Sequence, residues 1–172
     1  MKESVGIAIR EARPDDAAAC AEVMRNSIRE LCTRDHGNRD DILNGWLANK
    51  TPEIVRGWIA EESNILLVAE RRGAIVAVGS ARHSGEITLN YVAPSVRFMG
   101  VSKAVLAELE SRLAALGVKT VRLTSTNTAR EFYSALGYVP DGPVKPWRGE
   151  TKVHPMIKAL APPARKSASL HR

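Results

Sequence analysis

The residues best suited to chemistry lie in one stretch, Tyr91-Val92-Ala93-Pro94-Ser95-Val96-Arg97-Phe98-Met99-Gly100-Val101-Ser102-Lys103. A strand pattern ends at Pro94, and the following residues lead directly into an amphipathic helix. The first turn of a helix carries backbone N–H groups without intrahelical partners, backed by the positive end of the helix dipole. Arg97 and Lys103 add formal charge. Such a segment can cradle a pyrophosphate. It is neither a Walker A loop nor a dinucleotide fingerprint, because the Gly and Lys spacings of both are missing. Taken alone, Arg-x-x-Gly-x-Ser fits an ordinary strand-to-helix connection equally well. A second stretch runs Thr124-Ser-Thr126-Asn127-Thr-Ala129-Arg-Glu-Phe132-Tyr133-Ser-Ala-Leu-Gly137-Tyr138. A buried strand feeds a short helix, with Tyr133 one turn before its end. Tyr133 could donate a proton there, or pack as a core residue.

Hydrophobic periodicity supplies the elements that must position these stretches. Residues 7–11 alternate as a first strand. Pro14-Asp15-Asp16 opens a helix running to about residue 32, since Pro and acids suit a first turn. Two short helices follow, Asp40 to Ala48 and one begun by Thr51-Pro52-Glu53. Residues 64–70, 74–81 and 86–92 read as three meandering strands. In the last, Ile87, Leu89 and Tyr91 fall on one face, and Glu86, Thr88 and Asn90 on the other. Residues 101–116 form a helix with a Val101, Val105, Leu109, Leu113, Leu116 stripe, closed by Gly117. A strand over 118–123, a helix over 127–136 and closing strands at 138–140 and 153–160 complete the order. A Pro/Gly-rich loop spans 141–150. The result is a mixed α/β sheet with helices on its faces.

In this order, about thirty residues apart, the two stretches resemble the GCN5-related N-acetyltransferase superfamily over roughly residues 7–160. Arg97, Gly100 and Ser102 match its Gln/Arg-x-x-Gly-x-Gly/Ala pattern. Ala129, Phe132, Tyr133, Gly137 and Tyr138 match its Ala-x-x-Phe-Tyr-x-x-x-Gly-Phe/Tyr pattern. Phe98 stands where Gly is common, and Ser102 where Gly or Ala is usual.

The resemblance implies a mixed, mostly antiparallel central sheet flanked by helices, as one domain over residues 1–160. It implies acetyl-CoA as co-substrate and a primary amine of a small molecule or peptide as acceptor. Coenzyme binding would fall to Tyr91 and Val92, to the loop Arg97, Phe98, Met99, Gly100, Val101, Ser102 and Lys103, and to Thr126 or Asn127. Tyr133 would protonate the departing thiolate. A backbone N–H at Val92 or its neighbour would polarise the thioester carbonyl. Glu86 would take the amine's proton through water. A non-catalytic acyl-CoA-binding module of the same fold is the alternative. Trp58, and Trp46 with it, can wall the acceptor side or simply pack.

The chain has 172 residues, 44% of them hydrophobic, and a net charge of +6. That composition excludes a disordered chain. No run of apolar residues is long enough to cross a membrane. Met1–Gly6 has no apolar stretch of the secretory kind, so a cytoplasmic location is expected. Cys20 and Cys32 share one predicted helix, roughly 18 Å apart at about 1.5 Å per residue, beyond disulfide reach. The four histidines have no ligand-like spacing, and Asp35, Asp40 and Asp41 read as a solvated acidic helix start, so no metal is expected. The charge divides unevenly. Residues 1–62 are net −3, residues 63–160 net +6 and residues 161–172 net +3. The last segment reads as a loose basic tail. The split favours a polyanionic coenzyme and a cationic acceptor over nucleic acid, for which no recognition element is present. A homodimer is compatible with this reading.

Overall fold

The computed structural model describes residues 6–149 and 151–162. Most of the basic segment 161–172, and residues 1–5, lie outside the described residues. The elements run β1 (Ala8–Glu11), α1 (Ala17–Leu31), α2 (Thr33–His36), α3 (Asp40–Leu47), α4 (Pro52–Ala60), β2 (Asn64–Arg71), β3 (Ala74–Arg82), β4 (Ile87–Val92), α5 (Val101–Ala115), β5 (Thr120–Ser125), α6 (Arg130–Ala135), β6 (Val139–Pro140), β7 (Lys145–Pro146) and β8 (Lys152–Ala159). The first four strands form one antiparallel sheet in the order β1-β2-β3-β4. β5, β8 and β6 form a second, and β7 also pairs with β8.

Both faces of the first sheet are covered, which explains the unbroken apolar run of β2. Leu66 and Val68 pack with Cys20, Met24 and Val55 of α1 and α4, while Leu67 and Ala69 pack with Val105 and Leu109 of α5. Burial of each such large aliphatic side chain contributes about 1.5–3 kcal/mol. Gly79 is required where α5 crosses β3. A Cβ there would lie 2.4 Å from Val105 Cγ1. Leu116, predicted to continue the α5 stripe, is 56% exposed, because the helix ends at Ala115 before the stripe returns to the core.

Two local features depart from the periodicity and shape the site. The strict alternation predicted for residues 86–92 is broken. Ser80 pairs with Leu89 and Ala81 with Ile87, so Thr88 is an extra, bulged residue. The bulge turns Ile87 toward α5 and leaves Leu89 and Tyr91 facing α1 and α4. The second feature is the junction of the two sheets. β4 and β5 touch through one parallel bridge, Glu86 with Arg122, where Arg122 N donates to Gly85 O at 2.9 Å. Gly85 sits at φ +99, and a Cβ there would lie 2.8 Å from Thr120 O. Beyond that bridge the strands splay and leave a V-shaped cleft.

Candidate active site

The cleft is a cavity of about 280 Å³ walled by β4, β5, the start of α5 and the turn before α6. At one end, Ala104 N donates to Gly100 O at 3.1 Å, so the N–H groups of Val101, Ser102 and Lys103 precede the first intrahelical bond. No side chain caps them. Gly100 holds φ +78, and a Cβ there would meet nothing within 4 Å. The backbone face is therefore open, as a bound pyrophosphate requires. Arg97, Phe98, Gly100, Val101, Ser102 and Lys103 all line this wall. Met99 does not. It is half exposed, with Arg71 Nη1 3.9 Å from its sulfur.

Phe98 holds φ +64 and is 91% exposed, with the Arg97 guanidinium 4.6 Å from its ring centroid. Left-handed backbone costs a non-glycine residue about 1–2 kcal/mol. Phe98→Gly is therefore expected to raise stability by about 1 kcal/mol, or roughly 2–4 °C in Tm, read by thermal unfolding. An unchanged or lowered Tm would show that the ring's packing on Arg97 outweighs the strain.

At the other end, Tyr133 is 6% exposed. Asn90 Nδ2 donates to its hydroxyl oxygen at 3.1 Å. Alternation along β4 places Asn90 opposite Leu89 and Tyr91, on the α6 side, where it makes this contact. Because the oxygen accepts, the phenol proton is left to point elsewhere. Burial pushes the Tyr133 pKa up to about 12, partly offset by the Asn90 bond. Val92 also lines the cleft. Ala93 N donates to Val76 O at 2.7 Å, so alternation along β4 aims the Val92 and Asn90 N–H groups away from β3 and into the splay. Tyr91 lies on the opposite face, where Trp46 Nε1 donates to its hydroxyl at 3.2 Å and burial raises its pKa.

The turn before α6 is held from a distance. Asp35, expected to be solvated, is 6% exposed. Its carboxylate accepts from Asn127 N at 2.7 Å, Thr128 N at 3.2 Å and the Thr128 hydroxyl. Thr126 Oγ1 accepts from Ala129 N at 3.2 Å. These bonds take the place of the helical start expected at Asn127, so α6 begins only at Arg130. Thr126 lines the cleft. Asn127 does not, because its Oδ1 accepts from His154 Nε2 at 2.7 Å. Cys32 is on the wall, but burial pushes its thiol up to about 12, so it stays protonated and inert.

A second cavity, of about 450 Å³, adjoins the first and shares Trp46, Thr88, Leu89 and Tyr91 with it. Trp58 lines it, as do Trp147 and Arg148 from the Pro/Gly-rich loop. Trp147 packs edge-on against Trp46 at 4.7 Å. A tryptophan in an otherwise polar loop was the available sequence signal for this wall. Glu86 lines neither cavity. It is exposed and pairs at 3.6 Å with Arg82, which does line the second. The charge of that wall also corrects the linear bookkeeping. Among the described residues Lys50, Arg82 and Arg148 are set against Glu61 alone, so it is not the acidic surface expected to face a cationic acceptor. Among the described residues no group of three His, Cys, Asp or Glu side chains could hold a metal ion. No described helix is long and apolar enough to cross a membrane.

Comparison with known proteins agrees with this geometry. The family model of the acetyltransferase (GNAT) domain matches residues 36–160. The amino-acid acetyltransferase of Pseudomonas syringae pv. syringae is 30% identical over 115 residues, 61% of this chain. The chain spans about a quarter (26%) of that relative's length. Among solved structures, a GCN5-related N-acetyltransferase from Rhodopseudomonas palustris superposes with TM-score 0.79 at 23% identity, over 89% of this chain and 95% of that one. The PaiA N-acetyltransferase of Thermoplasma acidophilum, in complex with coenzyme A, gives 0.74 at 18% identity, over 90% and 99%. At such identities the likeness concerns the fold.

Proposed function

The chain belongs to the GNAT acetyltransferase family, and on that premise we propose that it is an enzyme transferring the acetyl group of acetyl-CoA to a primary amine of a small molecule or peptide, by direct attack. The observation that carries this reading is the cleft itself. Unpaired N–H groups of α5 stand at one end, and a buried phenol with its proton free stands at the other. We assign residues 1–160 to one catalytic domain.

Acetyl-CoA supplies an activated thioester. The residues of this chain supply the rest. Val101, Ser102 and Lys103 hold the pyrophosphate through backbone N–H groups at the positive end of the α5 dipole, with Arg97 and Lys103 adding charge. Thr126 contributes a hydroxyl to the wall. The N–H of Val92, unpaired in the splay, polarises the thioester carbonyl. Tyr133 protonates the thiolate. A free thiol ionises at about 8.5, so donation from a phenol at about 12 is favoured only when the sulfur shares the same dry environment. Glu86 takes the amine's proton through water; its half-exposed carboxylate sits beside Arg82, which faces the acceptor cavity.

The test is thiol release from acetyl-CoA across a panel of primary amines, with the N-acetyl product identified by mass. Release in proportion to product is expected. Acetyl-CoA binding without release on any amine would leave the chain a binding module. In the same assay, Glu86→Gln is expected to lower the rate above the acid limb and to flatten that limb of the pH–rate profile. An unaltered profile removes Glu86 from the reaction.

A further inference from the structure

The second cavity carries more information about the acceptor than the cleft does. Its wall holds all three tryptophans of the chain beside Lys50, Arg82 and Arg148. The charges do not balance. Arg82 is engaged by Glu86, and Glu61 offsets one more positive charge. Among the described residues one net positive charge remains, carried by Lys50 and Arg148. Lys50 is only 5% exposed. Its Nζ donates to Asn49 Oδ1 and lies 5.7 Å from the Trp58 ring centroid, which leaves further ammonium protons unused. Among the described residues no carboxylate lies within ion-pair distance of Lys50 or Arg148. An ammonium taken out of water without a counter-ion is costly, and a second cation on the same wall adds to the cost. Burial, with Arg148 contributing, pushes the Lys50 pKa down to about 8. An anion entering the cavity relieves both effects. One surplus charge suits a monoanion better than a phosphate dianion. The three indole rings suit an apolar carbon skeleton.

We propose that the acceptor is an amine that also carries a carboxylate, with Lys50 and Arg148 binding the carboxylate and Trp46, Trp58 and Trp147 packing its skeleton. The amine end rests on the acetyl-transfer reading; the carboxylate end does not. The shared wall at Thr88 and Tyr91 connects the two cavities, so an amine held in one can face a thioester in the other.

Because every tryptophan of the chain lines this cavity, intrinsic fluorescence reports on it directly, without turnover. The full chain is titrated with 3-phenylpropionate and with neutral 3-phenylpropanamide. The acid is expected to bind at least ~10-fold more tightly, and Lys50→Met and Arg148→Gln, tested separately, are each expected to erase most of that preference. Equal binding of acid and amide, no response to either, or full discrimination in both variants would overturn the proposal. Turnover separates this outcome from the fate of the acetyl-transfer reading. With acetyl-CoA, L-phenylalanine is expected to exceed 2-phenylethylamine by about 100-fold in kcat/KM, as in sites built to pair a polar group. Selective binding of the acid without acetylation of any amine would sink acetyl transfer and leave the carboxylate site standing. Acetylation of both amines at equal kcat/KM would do the reverse.

Discussion

Tyr133→Phe is expected to lower kcat by about 100-fold, within the range for loss of a general acid, while the Kd for acetyl-CoA stays within about twofold. The phenol is a buried proton donor on the inner wall whose oxygen already accepts from Asn90 Nδ2 at 3.1 Å, which leaves its proton to point elsewhere. Removing it leaves the cleft shape intact but strands a thiolate in a dry site, where it is a poor leaving group. Loss of the Asn90 bond costs about 1 kcal/mol of stability, too little to unfold the domain. The pH dependence has a defined sign. Because burial holds Tyr133 at about 12, it keeps its proton through neutral and moderately alkaline pH. No alkaline fall in kcat arising from this residue is expected below that value. Steady-state kinetics of the pair over pH 6 to ~10, with coenzyme affinity by calorimetry, checks both parts. A kcat equal to that of the unaltered chain would remove Tyr133 from the reaction.

Asp35→Ala is expected to cost about 3 kcal/mol, roughly 6–12 °C in Tm, because it leaves two backbone N–H groups and a hydroxyl without their acceptor. The loss should also reach catalysis. Asn127 and Thr128 anchor the turn that launches α6, and Tyr133 rides on α6. kcat is expected to fall with KM for acetyl-CoA less affected, since the pyrophosphate end is built from α5. Asp35→Asn, which keeps one acceptor oxygen, should recover part of the stability. Thermal unfolding and kinetics on both variants decide it. A Tm within about 1 °C of the parent would mean that water replaces the carboxylate and that the turn is not held from α2.

The two predictions differ in how far a reader of the sequence could have reached them. Tyr133 stands in a local pattern, Phe-Tyr followed by Gly137, and its helix is written in the spacing around it. The coenzyme end is equally local, since Gly100, Ser102 and Lys103 are consecutive with the helix that they start. The meander, α5 and the flanking helices follow from periods of two and about 3.6 residues. Asp35 was legible only as an acid at a helix start. Its partners are more than ninety residues away in the chain. Lys50 and Arg148 gave no sign of facing one cavity, Trp147 stood out only as a tryptophan in a polar loop, and the linear charge count assigned Lys50 to an acidic half.

The sequence alone therefore determined the elements, their order, the family pattern and the coenzyme-facing loop, because each depends on neighbours within a turn or a strand. Tertiary structure decided three other things. It placed an unpredicted bulge at Thr88, because strand register is set across β3 rather than along β4. It buried Asp35 beneath the α6 turn, because the backbone N–H groups of Asn127 and Thr128, between β5 and α6, needed an acceptor. It set Lys50 and Arg148 beside three indoles, because packing joins residues by volume and charge without regard to their distance along the chain. The coenzyme end was written locally; the character of the acceptor end exists only once the chain is folded.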